Sequence, residues 1–275
     1  MTPPSHYPSE SNTLPEEAIH ALRAVRHFLD DSAIAAYLFG SAVMGGLRPD
    51  SDVDVLVIVE EGLTNEMRQQ LVAALMTISG RVDIETSARP LELTIVRLTD
   101  ITPWRYPPSA EFVYGEWLRQ AFEAGHIPPP THDPDLAIVL KKARDDSITL
   151  LGPDASRLLD PVPAEDIRRA LAESLPSLLD DIEGDERNVV LTLARMWLTA
   201  ATGDIAPKDI AARWAMDRLP SEQAALLDIA RRGYLGECQD RWDGRTSELM
   251  ALVTHMRQSI EACLSQENSQ RPRHF

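Results

Sequence analysis

The chain has 275 residues, 44% of them hydrophobic, which is enough for one large domain or two small ones with real cores. Its formal net charge of −16 argues against a partner that is itself a polyanion such as nucleic acid, which is bound through clustered Lys and Arg, and favours a cationic one. Two cysteines, Cys238 and Cys263, make neither a disulfide framework nor a spaced metal set, the N-terminal segment lacks the basic start and apolar core of a signal peptide, and no apolar stretch approaches the ~20 residues that span a bilayer, so the expected location is the cytoplasm.

Apolar positions at Ile19, Leu22, Val25, Phe28 and Leu29 recur at helical spacing across 15–30, behind Glu16 and Glu17 in the first turn. Apolar runs then predict strands over 34–39 and 53–60, a helix near 64–78, and a third strand in the alternating stretch Leu91–Val96. That order builds a small mixed sheet. From about 135 onward the pattern predicts helices and no further strand: 135–151, 164–180, 186–202, 207–216, 221–233 and 245–264. The turn Gly152-Pro153-Asp154 and the run Leu159-Asp160-Pro161-Val162-Pro163 punctuate the change. The expected division is therefore an α/β unit at 1–157 followed by an all-α helical bundle at 158–275, with a small-molecule cleft between them. Residues 265–275, polar and with Pro272 near the end, read as a tail outside the fold.

The chemistry concentrates around the first two strands. Gly40 and Ser41 close one apolar run, and after a ten-residue spacer Asp52 and Asp54 open the next. Side chains two apart on a strand share a face, so these carboxylates point the same way and offer the hard oxygen ligands that magnesium prefers. Gly40 lets backbone approach a phosphate closely and Ser41 adds a hydroxyl, without the Lys of a Walker-type loop. In the third strand Leu91, Leu93 and Ile95 take one face, which leaves Glu92 on the other beside Thr94 and Val96 as a third acid looking into the cleft. Asp83 and Glu85 are rivals for that role, in a segment bracketed by Arg81 and Arg89 that lacks sustained alternation and reads as a solvent-facing loop.

Several strings around these residues resemble one family over about Tyr37 to Trp242. They are Phe39-Gly40-Ser41-Ala42, Gly45-Gly46-Leu47, Ser51-Asp52-Val53-Asp54, Leu91-Glu92-Leu93-Thr94, Pro103-Trp104-Arg105-Tyr106-Pro107-Pro108, Gly115-Glu116-Trp117-Leu118-Arg119 and Glu183-Gly184-Asp185-Glu186-Arg187-Asn188. The chain is similar to the aminoglycoside (3'')(9) adenylyltransferases, the streptomycin and spectinomycin nucleotidyltransferases. The Gly-Ser and Asp-x-Asp elements alone indicate only the wider nucleotidyltransferase superfamily. The Trp-Arg-Tyr-Pro-Pro and Glu-Gly-Asp-Glu-Arg-Asn strings are the specific ones.

The resemblance implies a nucleotidyltransferase-fold mixed sheet followed by a helical bundle. It implies magnesium-dependent transfer of AMP from ATP to the 9-hydroxyl of spectinomycin, with the 3''-hydroxyl of streptomycin as a further acceptor. Two Mg²⁺ ions would be held by Asp52 and Asp54, and Glu92 would take the proton from the drug hydroxyl and also touch a metal. Ser41 and Ser51 would contact the triphosphate, Lys208 and Tyr234 would reach the nucleotide, and Arg195 is a further phosphate candidate. Trp117 would stack on the drug and Asp185 would pair with its cationic nitrogens, with Asp181 matching the neighbouring acid associated with streptomycin. The partners are then ATP and a cationic antibiotic, with no nucleic acid and no membrane, and the chain is expected to be a monomer.

The residues themselves leave alternatives open. Trp117 fits the core face of a helix from Glu111 to Ala124, and Asp185 fits the N-cap of a helix beginning at Glu186. There is one departure from the family: relatives that use both drugs carry a second Trp upstream of the Gly-Asp-Glu-Arg-Asn string, where this chain has Ser177-Leu178-Leu179 and is two residues shorter. Leu178 cannot donate an indole hydrogen bond, which makes spectinomycin the better expected substrate. Two other readings share the fold: transfer to a protein side chain, as in toxin–antitoxin nucleotidyltransferases, and a non-catalytic nucleotide-binding protein. The long helical half speaks against the first and the complete set of Asp52, Asp54 and Glu92 against the second.

Overall fold

The structure is a computed structural model and describes residues 14–81, 87–180 and 182–266. Helix α1, Glu16–Leu29, buries Ala18, Ala21, Val25 and Leu29, one stripe at helical spacing. Strands β1 (Ala33–Phe39), β2 (Val53–Val59) and β3 (Leu91–Arg97) are buried along nearly their whole length, the mark of a sheet covered on both faces. Helix α2, Asn65–Ile78, starts where the Thr64 hydroxyl accepts the Met67 N–H at 3.2 Å and carries the chain from β2 to its parallel neighbour β3.

After β3 come helix α3 (Leu98–Ile101), strands β4 (Ser109–Ala110) and β5 (Phe112–Tyr114), helix α4 (Arg119–Glu123), strand β6 (Thr131–His132), helix α5 (Leu136–Asp145) and strand β7 (Ile148–Leu151). The main sheet runs β5-β3-β2-β1-β7, and β4 pairs with β6 in a separate ribbon. One face, with Val55, Val57, Leu93 and Ile95, packs with α1 and α2. The other, with Tyr37, Phe39, Leu56, Ile58 and Val96, packs with Leu136, Leu140 and Ala143 of α5.

Two expectations fail here. The predicted helix at 135–151 ends at Asp145, and Ile148–Leu151 is an edge strand antiparallel to β1, so a strand does return after 135. The apolar period stops at Ala143, Asp146 takes extended backbone, and the β-branched Ile148 and Thr149 then satisfy the free edge of β1. Nor does a helix run from Glu111 to Ala124. Phe112 and Tyr114 alternate into the core as β5 against Ile95 and Leu93, a 3₁₀ turn covers Glu116–Leu118, and only Arg119–Glu123 is α-helical.

The elements of the remaining described residues are all helical: α6 (Ala155–Leu158), α7 (Ala164–Asp180), α8 (Glu186–Thr202), α9 (Lys208–Met216), α10 (Ser221–Tyr234) and α11 (Thr246–Gln266). Helix α8 is buried on most sides, from Val189 to Ala200, and forms the axis on which α9, α10 and α11 pack. Helix α11 takes in the first two residues of the expected tail, and 267–275 lie outside the described residues. Among the described residues no helix is long and apolar enough to cross a membrane. Both cysteines are free thiols.

The Trp-Arg-Tyr-Pro-Pro string straps the two halves together. The Trp104 backbone N–H donates to Asp160 at 3.0 Å, its indole N–H to Asp166 at 2.8 Å, and the Tyr106 hydroxyl to Glu173 at 3.1 Å. The Arg169 guanidinium sits 4.4 Å above the Tyr106 ring. Farther along the same junction Arg187 ion-pairs with Asp50 at 2.8 Å and with Asp240 at 3.4 Å.

Candidate active site

Register builds the site. Phe39 of β1 lies opposite Asp54 of β2, and Asp54 lies beside Glu92 of β3, so the two carboxylates stand on neighbouring strands and face the same way. Their face is that of Leu56, Ile58 and Val96, looking toward α5 and the helical half. Asp52 enters two residues earlier on the same side. The chain then needs a glycine at position 40 for two reasons. Its φ is 70°, and a Cβ there would fall 1.9 Å from the Asp54 Oδ2. The carboxylate occupies that space and accepts the Ser41 backbone N–H.

The spacer between the strands is firmly held. The Ser51 Oγ accepts the Arg48 N–H at 2.9 Å, and Ser51 is buried. Arg89 donates to the carbonyls of Arg48 at 2.6 Å, Ser51 at 3.2 Å and Pro49 at 3.3 Å. In the sequence Arg89 merely bracketed a loop; in the fold it pins the turn that presents Ser51 and Asp52. The rival acids Asp83 and Glu85 lie outside the described residues, as does Asp181.

A cleft of about 1380 Å³ opens over this face, between the sheet and the bundle. It exceeds the roughly 300–1,000 Å³ usual for one ligand, which leaves room for more than one. Ser41, Ser51, Asp52, Asp54, Glu92, Trp117, Asp185, Arg195, Lys208 and Tyr234 all line it. Trp117 is 64% exposed rather than packed in a core. Asp185 does occupy the N-cap position of α8, but its side chain makes no capping bond. It accepts instead from Asn188 Nδ2 at 3.0 Å, and Asn188 Oδ1 in turn accepts from Lys208 Nζ.

Two residues in this cleft escaped the sequence reading. Lys142 of α5 lines it with its ammonium 5.5 Å from the Phe39 ring, and Asn188 links Asp185 to Lys208. Asp135, Val139 and Lys142 fall on one helix face at i, i+4 and i+7 and all three line the cleft, but that face is marked out only once α5 packs on the sheet. Trp104 does not reach it; its indole belongs to Asp166.

The charges are poised against one another. Burial in the cleft, then the charge of Asp54, pushes Glu92 up to about 8. Asp52, more open to solvent, rises to about 6 through the same two causes, and burial raises Asp54. Facing them, burial lowers Lys142 and Arg195 and brings Lys208 down to about 8. Among the described residues no three acid, His or Cys side chains form a closed metal cage. The row of Asp52, Asp54 and Glu92 nonetheless fits magnesium, which usually keeps water and substrate phosphate as ligands and takes one or two carboxylates from the protein.

Comparison with known proteins places this geometry in context. The family described as aminoglycoside adenylyltransferase, C-terminal domain, matches residues 157–259, and the polymerase beta nucleotidyltransferase family matches 25–97. The chain is 54% identical over 252 residues to a spectinomycin 9-adenylyltransferase of Staphylococcus aureus, covering 92% of this chain and 97% of the relative. It is 45% identical over 238 residues to an aminoglycoside (3'') (9) adenylyltransferase of Escherichia coli, covering 86% and 90%. The crystal structure of spectinomycin adenyltransferase AAD(9) from Enterococcus faecialis with ATP and spectinomycin superimposes with a TM-score of 0.86 at 36% identity, over 90% of this chain and all of that one.

The raised Glu92 carboxyl has a consequence for stability. A group held at about 8 in the fold, against an ordinary 4.5, binds its proton more tightly when folded. Its favourable contribution is complete below the ordinary value and is lost as pH rises to about 8. With chelator present, Glu92→Gln should therefore melt at least about 2–4 °C above the unaltered chain at pH 8.5, the shift that 1 kcal/mol gives at this size, and close to it at pH 4. Equal melting temperatures at pH 8.5 by calorimetry would show that Glu92 is not desolvated.

Proposed function

The chain belongs to the aminoglycoside adenylyltransferase family, and from that premise we propose that it transfers AMP from ATP to the 9-hydroxyl of spectinomycin, releasing pyrophosphate. The modified drug carries a bulky anion and no longer fits its ribosomal pocket, so the cell is resistant. The observation that carries this reading is one cleft, with room for more than one ligand, in which a row of strand carboxylates faces three cations while an exposed indole and Asp185 also line it.

Glu92 is the base that takes the proton of the drug hydroxyl as that oxygen attacks the α-phosphorus. Its proton affinity, raised by burial and by Asp54, suits it to the role. Ser41 and Ser51, on the tight turn at Gly40 and the pinned spacer, hold the triphosphate. Lys208, Arg195 and Lys142 neutralise charge on the phosphates and on departing pyrophosphate; being desolvated, they act more strongly than surface cations would. Tyr234, whose ring lies 5.8 Å from the Lys208 ammonium, completes the nucleotide wall. Asp52 and Asp54, together with Glu92, are the residues that would hold two Mg²⁺ ions, which when bound supply charge neutralisation and polarise the attacking hydroxyl.

Trp117 stacks on the drug and Asp185 pairs with its cationic nitrogens. The overall charge of −16 raises the local concentration of such a cation. Leu178 lines the cleft and packs on the helical core, and it offers no donor there. Streptomycin is accordingly the poorer acceptor, with Asp181 as the residue that matches its acid contact. We further place the division between the two halves near 157, and take the protein to act as a cytoplasmic monomer without nucleic acid.

Two experiments test the reading. Glu92→Gln should bind both substrates yet lose at least the ~10²-fold in turnover that a positioned general base contributes, measured by pyrophosphate release; unchanged turnover would assign proton removal elsewhere. Expressed in a susceptible bacterium, the chain should raise the inhibitory concentration of spectinomycin more than that of streptomycin, and Leu178→Trp should narrow the gap. Streptomycin resistance without spectinomycin resistance would overturn the substrate assignment.

A further inference from the structure

Trp117 is more exposed than any other large apolar side chain among the described residues, yet the backbone that carries it is firmly held. Strand β5 ends at Tyr114, paired with Leu93, and the Leu118 N–H closes the next turn on the Gly115 carbonyl at 3.0 Å. Glu116, the residue before Trp117, accepts from Ser79 Oγ at 2.6 Å, from the Tyr114 hydroxyl at 2.9 Å and from Arg119 at 2.6 and 2.8 Å. Ser79 Oγ also accepts the Leu91 N–H at 3.0 Å, which ties this clamp to the start of β3 and so to Glu92.

The indole is held in another way. Its six-membered ring lies directly over Gly115, so that a Cβ there would fall 2.2 Å from Cη2 and Cζ3 and 2.6 Å from Cε3. Gly115 has φ −164° and ψ 158°, extended backbone that any residue adopts. The turn does not require a glycine; the ring does.

We infer that Gly115 is a positioning residue for the drug platform: the space left by its missing side chain is where the Trp117 indole rests, so that the ring is already oriented toward the cleft before the drug arrives. An exposed Trp without such a rest would spread over several rotamers and lose that freedom on stacking, which weakens binding. The three atoms nearest to a methyl at 115 all belong to the ring of this exposed side chain, so the methyl displaces the ring and leaves the fold intact. The inference rests on the reading of Trp117 as the drug-stacking residue, and the test separates the two.

The test is a double-mutant cycle on KM for spectinomycin at saturating ATP, with KM for ATP and the melting temperature read alongside. Trp117→Ala should raise KM for spectinomycin about tenfold, the scale of a lost cation–π platform, and Gly115→Ala should raise it comparably. The double variant should match Trp117→Ala alone, with KM for ATP and melting temperature unchanged throughout. A normal KM in Gly115→Ala beside an impaired Trp117→Ala would overturn the role of Gly115 alone. So would a penalty from Gly115→Ala that persists when Trp117 is already Ala, whether in KM or in melting temperature, because that marks a role in the scaffold. A normal KM in Trp117→Ala would remove the platform reading and Gly115's role with it.

Discussion

The site depends on the close packing of the Asp54 carboxylate against Gly40, at the place where β1 and β2 are in register. That contact leaves no room for a Cβ at residue 40, makes the turn present Ser41, and sets Asp54 beside Glu92. Register is what keeps it there. A slip of one residue between β2 and β3 would turn Asp54 and Glu92 to opposite faces, one of them into the apolar layer under α1 and α2, where a carboxylate finds no partner. The core of the sheet is thus also the device that aligns the acids.

Charge then links the two halves of the molecule. The carboxylates come from the sheet, Lys142 from α5, and Arg195 and Lys208 from α8 and α9, so neither half holds a balanced set by itself. The Trp104 and Tyr106 strap and the Arg187–Asp50 pair keep these groups facing across the cleft. Each side is desolvated, and its protonation is displaced toward neutrality. Substrate phosphates and a hard cation would relieve that, which is the usual compromise of an active site built at some cost to stability.

Much of this was readable from the residues because the signals were local. Strand alternation placed Glu92 opposite Leu91 and Leu93, the Gly-Ser and Asp-x-Asp spacing located the turn and the acid pair, and helical periodicity found α7 to α11 within a residue or two at most ends. What was missed was settled by partners distant in sequence. Residues 148–151 and 112–114 are short apolar runs whose state depends on finding the free edges of β1 and β3. Lys142 looked like any helix-surface lysine until α5 was laid against the sheet. Asp185 reads as an N-cap by position, and only the fold shows its oxygen bonded to the Asn188 side chain rather than to a backbone N–H of α8. The alternative place for Trp117, on the core face of a helix, is one that Tyr114, pairing into the sheet, does not allow.

The central claim is that this acid row performs adenylyl transfer to the drug. The most direct measurement is the mass of spectinomycin after incubation with ATP, magnesium and either the unaltered chain or Asp54→Asn. The account predicts a product heavier by one adenylyl group with the unaltered chain and unmodified drug with the variant. Unmodified drug in both mixtures, or equal conversion in both, would contradict it.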